Sequence, residues 1–196
     1  MRRYLSAAGL RGHIGELELR ELNEHTQPSE VESLLSLFSD PDGSPSDVGL
    51  ISEAGLLAVA DPGARLVALC HIHGIQVVPM VGPSSLMLAL MGSGLNGQCF
   101  AFCGYLPAKT DERRKAIREI ERRSSQLNQT EMFIETPYRN DSMMADLLAA
   151  LQPKTRLCIA ADITLPDETI MTRTVREWQK SPVVIGKRPC VFLILA

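Results

Sequence analysis

The stretch VGLISEAGLLAVADPG, residues 48–63, says most about the fold of this 196-residue chain. Val48–Ile51 is apolar and is expected to form a buried strand, which leads into a loop of small residues. Asp61 is a favoured helix cap, and Pro62 fits the first helical turn, where its missing N–H is no loss. The stretch therefore predicts a strand, a tight loop and a helix in succession.

A second stretch, VPMVGPSSLMLAL at residues 78–90, repeats that order. Ile75–Pro79 is the expected strand, a turn follows, and Ser84 and Ser85 open an apolar helix. Open α/β sheets bind small molecules at the carboxyl ends of their strands, where such turns lie. Ordinary turns that bind nothing are an equally good interpretation on spacing alone.

Composition excludes several classes of protein. The content of 45% apolar and 22% charged residues is typical of a globular protein, and the net charge of −3 means that any RNA contact needs a local basic patch. The five cysteines form no C-x-x-C pair, which argues against a zinc site and a disulfide framework and favours core positions in a reducing cytoplasm. We expect no signal peptide, no membrane span and no metal.

Alternating strands and helices predict an α/β protein with a parallel sheet in its first part. Leu17–Leu22 is an expected further strand. We place a domain junction at Gly104, which gives domains 1–104 and 105–196. The expected elements beyond residue 98 are strands at 99–103, 131–135, 156–160, 169–174 and 190–195, and helices at 110–125, 140–151 and around Trp178.

Two charged segments are candidate functional sites. The helix at 109–123 carries seven cations among four carboxylates, and ion pairing along its surface is favoured over phosphate binding. At 133–139, an apolar strand ends in Glu135, and Arg139 is near enough in sequence to pair with it. This pair either fixes the conformation of the turn or contributes to a functional site.

Four ordered motifs resemble one family. ISEAGLLAVADPG, VVPMVGPSS, FCGYLPAK and FIETPYRN look like the tetrapyrrole-methylase-like methyltransferases that use S-adenosylmethionine, near the branch that methylates a ribose 2′-hydroxyl in small-subunit ribosomal RNA. The resemblance implies a two-domain α/β fold with the cofactor in a cleft between the domains. It also implies a homodimer that uses S-adenosylmethionine and no metal.

Motif matching transfers the cofactor contacts of the family to positions in this chain. From the first domain the resemblance implies Ala54, Gly55, Leu56 and Val59 in one loop and Ser84 and Ser85 in the next. From the second domain it implies Phe133, Ile163 and Pro189. A hydroxyl acceptor also needs a base, for which the candidates are Glu135, Glu53 and His25. The first-choice acceptor is ribosomal RNA or another nucleic acid, and the second is a small molecule of the tetrapyrrole type.

Two departures from the family pattern qualify these expectations. At the positions of Leu56 and Leu57, relatives carry a residue followed by proline. Proline restricts the backbone, so this loop is expected to be less rigid than in the relatives. The family opens with a strand and a loop rich in Gly and Pro, whereas Met1–Leu5 resembles the helix that follows them. We therefore expect an N-terminally shortened member. The alternative function is a catalytically weak binding or scaffold protein.

Overall fold

The computed structural model describes residues 2–52, 56–59 and 61–196. These residues form two compact units, which divide between Pro83 and Ser84. The segment that begins at Ser84 belongs to the second unit because its helix packs on the sheet of that unit, and the strand that follows the helix is part of the sheet. The predicted boundary between residues 104 and 105 differs from this division and stays a prediction about domains.

Within its described residues, the first unit contains three α-helices. Helix α1 is Arg2–Leu5, continued by a π-helical turn at Ser6–Leu10, inside which Gly9 has a non-helical φ of 92°. Helix α2, Pro28–Ser33, begins with a capping box at Gln27 and tightens into a 3₁₀ turn at Leu34–Phe38. Helix α3 is Gly63–Ile72, and the Asp61 carboxylate accepts the Gly63 N–H at 2.9 Å, which confirms the predicted cap.

The strands predicted in the first unit are wrong for the residues that the structure describes. Among the described residues, no β-ladder forms at Leu17–Leu22, Val48–Ile51 or Ile75–Pro79. The only β-bridge in the described part of the first unit joins Ser39 and Pro45. Some apolar side chains of the three segments still pack against the cluster around Val31, namely Leu22, Leu50, Ile75 and Val77. An apolar run predicts which side chains are buried, but a strand also needs a neighbour for its N–H and C=O groups. The expected parallel sheet is therefore not formed by these residues.

The second unit is a five-stranded mixed sheet with helices on both faces. The sheet order is β1-β2-β5-β3-β4; β1 and β2 are parallel and the other pairs antiparallel. The elements lie within two residues of their predicted ends. They are α4 Ser85–Ser93, β1 Phe100–Tyr105, α5 Thr110–Leu127, β2 Thr130–Ile134, α6 Asn140–Ala150, β3 Arg156–Ala161, β4 Thr169–Thr174, α7 Val175–Lys180 and β5 Cys190–Leu195.

Strand alternation divides the core of this unit into two layers, because successive side chains point to opposite faces. One layer, which includes Met132 and Leu193, packs against α4. The other includes Phe133 and Phe192, whose rings stack with centroids 5.6 Å apart, and packs against α5, α6 and α7. The sheet is thus covered on both faces, and ligands have access mainly to its ends.

The cations of α5 are mostly paired, which favours the ion-pair interpretation of this helix. Arg113 and Arg114 contact Asp146, Arg122 contacts Glu119, and Arg123 contacts Glu131. None of the helices in the described residues combines the length and apolar content that a bilayer crossing requires. Three of the predicted core cysteines are buried in the structure, namely Cys70, Cys158 and Cys190.

Candidate functional site

Three predicted site residues lie at one end of the sheet. Strands β2 and β3 end where β5 begins, because Val191 of β5 pairs with both Ile134 and Ala160. With about 4.8 Å between neighbouring strands, the backbones of Glu135 and Asp162 lie roughly 10 Å apart, with the start of β5 between them. Glu135, Ile163 and Pro189, distant in sequence, are therefore brought to a common edge.

Glu135 follows β2, and its side chain is fully buried. Its Oε1 atom accepts three hydrogen bonds: from the Thr136 N–H at 2.6 Å, from Arg139 Nε at 3.0 Å and from Arg139 Nη2 at 2.6 Å. Its Oε2 atom is buried and has no hydrogen-bond partner among the described residues. The predicted Glu135–Arg139 pair is confirmed, and it uses only one of the two carboxylate oxygens.

This asymmetry has a chemical consequence. The guanidinium of Arg139 lies against the buried carboxylate of Glu135 and offsets its negative charge. A buried acceptor without a partner costs about 1–3 kcal/mol. The Oε2 atom is therefore a place where a hydroxyl, an amine or a water molecule gains a strong, charge-assisted hydrogen bond.

Asn140, which begins α6, fixes the loop before β5. Its Nδ2 atom donates to the carbonyl oxygens of Gly186 at 3.0 Å and Arg188 at 2.7 Å. The neighbouring Asp141 carboxylate accepts the N–H groups of Ile185 at 2.8 Å and Gly186 at 3.2 Å. The Oδ1 atom of the buried Asn140 has no partner in the described part of the chain, which adds a second open acceptor near this turn.

The loop after β3 holds an unusual backbone. Asp162 and Thr164, on either side of Ile163, have φ values of 51° and 72°. A positive φ is strained for both residue types and persists only where the surroundings impose it. Here Arg188 Nε contacts Asp162 Oδ2 at 2.5 Å, and the Asp162 N–H donates to the Pro189 carbonyl at 3.0 Å. The predicted residues Ile163 and Pro189 are thus joined through Asp162.

Phe133 has its side chain in the core, so only its backbone is available to a ligand. The pairing of β1 with β2 shifts register opposite this residue, between Phe102 and Tyr105. Gly104 lies in that irregularity with a φ of 66°, a conformation that glycine adopts without strain. The ladder beside Phe133 is therefore locally interrupted.

Ser84 and Ser85 take up the predicted positions at the start of α4. Ser84 is buried, and its Oγ atom accepts the Met87 N–H at 3.3 Å, whereas Ser85 is exposed. Ser84 is therefore a helix cap in the structure. Because the Ser84 hydroxyl caps the helix, this turn offers its backbone groups as contacts for a ligand.

The remaining predicted residues belong to the first unit. Leu56 is half-buried, and its Cδ2 atom lies 4.0 Å from where a Cβ on Gly82 would stand. Val59 is exposed. Glu53, Ala54 and Gly55 lie outside the described residues. His25 is 86% exposed, with its Nε2 atom 3.6 Å from a Glu24 oxygen.

Sequence reasoning missed Asn140, Asp162 and Arg188. A usable signal existed for Asp162, because a carboxylate directly after an apolar strand stands out in the same way as Glu135. Arg188 carried no comparable signal, since only the tertiary structure pairs it with Asp162.

A pocket of about 230 Å³ lies on the α7 side of β3 and β4, lined by residues that include Met171, Trp178 and Ile185. None of the predicted site residues lines it. Ile185 and Arg188, which contact Asp141 and Asp162, do line it, so the pocket adjoins the loop before β5.

Comparisons with known proteins agree with the sequence motifs. No protein-family model matches the chain. The chain is 38% identical over 175 residues to the ribosomal RNA small subunit methyltransferase I of Neisseria meningitidis serogroup B, a match that covers 89% of this chain and 55% of that protein. It is 32% identical over 166 residues to the protein of the same name in Escherichia coli O157:H7, covering 84% of this chain and 55% of the relative.

The fold has a relative among solved structures. The methyltransferase CobJ matches with a TM-score of 0.58 and 14% sequence identity, over 98% of this chain and 86% of that one. This likeness concerns the fold alone. The chain spans a little over half the length of the sequence relatives named above. Taken together, the sequence relatives show that the chain is similar over most of its length to ribosomal RNA small subunit methyltransferase I proteins, and its α/β fold is similar to that of the methyltransferase CobJ.

Proposed function

We propose that this protein transfers a methyl group from S-adenosylmethionine to an RNA. Relatives named as ribosomal RNA methyltransferases support the reaction and the acceptor, but the chain spans only about half of their length. The observation that carries the proposal is the buried Oε2 atom of Glu135, left open while Arg139 and Thr136 hold the other oxygen.

The residues present fit a cofactor rich in hydrogen-bond donors. The buried acceptor Asn140 Oδ1, which has no partner in the described chain, suits an amino or hydroxyl group of S-adenosylmethionine, whereas Glu135 Oε2 is assigned to the methyl acceptor. When bound, this cofactor supplies an electrophilic methyl group on a sulfonium. The residues proposed to hold it are Leu56, Val59, Ser84, Ser85, Phe133, Ile163 and Pro189, with Ala54 and Gly55. The two-domain cleft implied by the family resemblance is part of this proposal.

Glu135 is the proposed base for a hydroxyl acceptor. Its Oε2 atom would accept the acceptor's proton, and Arg139 would hold the carboxylate in a fixed orientation through Oε1. Burial keeps water from competing for that oxygen. Glu53 and His25 remain alternative bases.

The first test is calorimetric titration of S-adenosylhomocysteine, followed by transfer of a labelled methyl group to small-subunit ribosomal RNA and to small-subunit particles. Loss of a general base typically costs 10²–10⁴-fold in rate. We expect Glu135→Gln to lose methyl transfer by about that factor while it stays folded. The control is Glu112→Gln, an exposed carboxylate on α5, which keeps full activity.

Three outcomes would contradict parts of the proposal. Wild-type transfer by Glu135→Gln removes Glu135 as the base. Absence of S-adenosylhomocysteine binding by the folded protein favours the scaffold alternative, and methylation of a tetrapyrrole but no RNA favours the small-molecule alternative. A homodimer in the cytoplasm belongs to the same proposal, and light scattering tests the dimer.

A further inference from the structure

The most exposed large aromatic side chain on the proposed site's surface is Tyr138, in the 3₁₀ turn Pro137–Arg139. It is 80% exposed and lies three residues after Glu135. The Lys187 ammonium stands 5.0 Å from the centroid of its ring. An aromatic ring and a cation are thus presented together beside the open carboxylate.

The geometry of this pair is imposed by its surroundings. Asn140 and Asp141 hold the loop that carries Lys187, through the hydrogen bonds to Ile185, Gly186 and Arg188 described above. Exposed cation–π contacts contribute little to stability, so four clamping hydrogen bonds exceed what such a contact needs. The clamp preorganises Tyr138 and Lys187 as a surface platform.

The charge of this platform resides on Lys187. Arg139 is bound to Glu135 and Arg188 to Asp162, so their charges are compensated. Lys187 is exposed and has no carboxylate partner among the described residues. A phosphate that adjoins a base on Tyr138 therefore meets the uncompensated charge of Lys187.

Resting on the proposed function, we infer that Tyr138 and Lys187 bind an unpaired nucleotide of the RNA acceptor. The Tyr138 ring stacks on the base, and Lys187 contacts the adjoining phosphate. Proteins read single-stranded RNA by stacking splayed bases on exposed aromatic side chains, which duplex RNA does not permit because its bases are already stacked. The platform therefore selects a single-stranded segment at the site.

The test uses fluorescence anisotropy of the full chain with a labelled 12-nucleotide single-stranded RNA of mixed sequence, and with the matching duplex. We expect Tyr138→Ala to weaken single-strand binding about tenfold or more, and Tyr138→Phe to stay within about twofold of wild type. Lys187→Gln lowers the slope of log affinity against log salt by about 0.7. The control Lys154→Gln removes an exposed charge at the opposite end of the sheet and leaves the slope unchanged.

Circular dichroism of each variant verifies its fold. Wild-type affinity in Tyr138→Ala, equal losses in the Ala and Phe variants, or equal slopes in Lys187→Gln and Lys154→Gln would overturn the inference. If the wild-type protein binds no RNA, both the platform and the RNA acceptor are overturned. If it binds RNA through Tyr138 but binds no S-adenosylhomocysteine, the platform stands and the methyl-transfer proposal fails.

Discussion

The buried pair Arg113–Asp146 allows a quantitative test of how α5 and α6 are held together. The two side chains are 3% and 5% exposed, and Asp146 accepts from Arg113 Nε at 2.7 Å. Arg113 also donates to the Ala108 carbonyl at 3.0 Å and to Ser142 Oγ at 2.8 Å. In Asp146→Ala, these two neutral acceptors would remain around an uncompensated buried guanidinium.

Breaking a buried pair by removing one partner typically costs 3–5 kcal/mol. Urea slopes are about 2 kcal/mol/M for a unit of this size, so the midpoint is expected to fall by roughly 1.5–2.5 M. The chain has a single tryptophan, Trp178, buried in the second unit with its Nε1 donating to the Leu157 carbonyl at 2.9 Å. Its fluorescence therefore reports the unfolding of the unit that contains the pair.

The double variant Arg113→Met with Asp146→Leu separates charge from packing. Replacing buried ion partners by apolar groups is often neutral or stabilising, and Arg114, the other partner of Asp146, is 42% exposed and stays in contact with water. We therefore expect the double variant to recover most of the loss. The control is Glu112→Ala, which breaks an exposed pair with Lys109 and costs less than about 1 kcal/mol. A cost below 1 kcal/mol for Asp146→Ala, or a double variant less stable than either single one, would refute the reasoning.

Two further predictions concern stability. A Cβ on Gly63 would lie 2.8 Å from Leu50 Cδ2 and 2.9 Å from Asp61 Oδ1, so Gly63→Ala should cost about 1–3 kcal/mol by thermal denaturation; an unchanged melting temperature would contradict this. Burial raises the pKa of Cys190 to about 12 and that of Cys103 to about 11, whereas an unfolded thiol titrates near 8.5. The thiols of the unfolded chain therefore lose their protons at lower pH than those of the folded protein, so the free energy of unfolding should fall as pH rises from about 9 to 11. This fall should be less steep in Cys190→Ala than in the wild type. Equal slopes in the two proteins would disprove the assignment.

The second unit could be predicted closely from its sequence. Its strands carry strong alternation or continuous apolar runs, and its helices have clear starts, so each element lies within two residues of its expected ends. The sequence also pointed to Glu135 with Arg139, because a carboxylate and a cation four residues apart around a turn are within reach of each other. The family motifs were likewise readable without a structure.

The first unit and the details of the site could not be predicted in this way. Residues 48–51 and 75–79 have the composition of strands, yet pairing depends on a neighbouring backbone that composition does not specify. The mixed direction of the sheet, the contact of Arg188 with Asp162 and the open Oε2 atom of Glu135 all depend on segments distant in sequence. The sequence by itself determined the local elements of the second unit, the family resemblance and the turn at Glu135, because those depend on neighbouring residues. Only the tertiary structure decided which oxygen stays open and which cation stays free, because hydrogen-bond partners are assigned by packing in space.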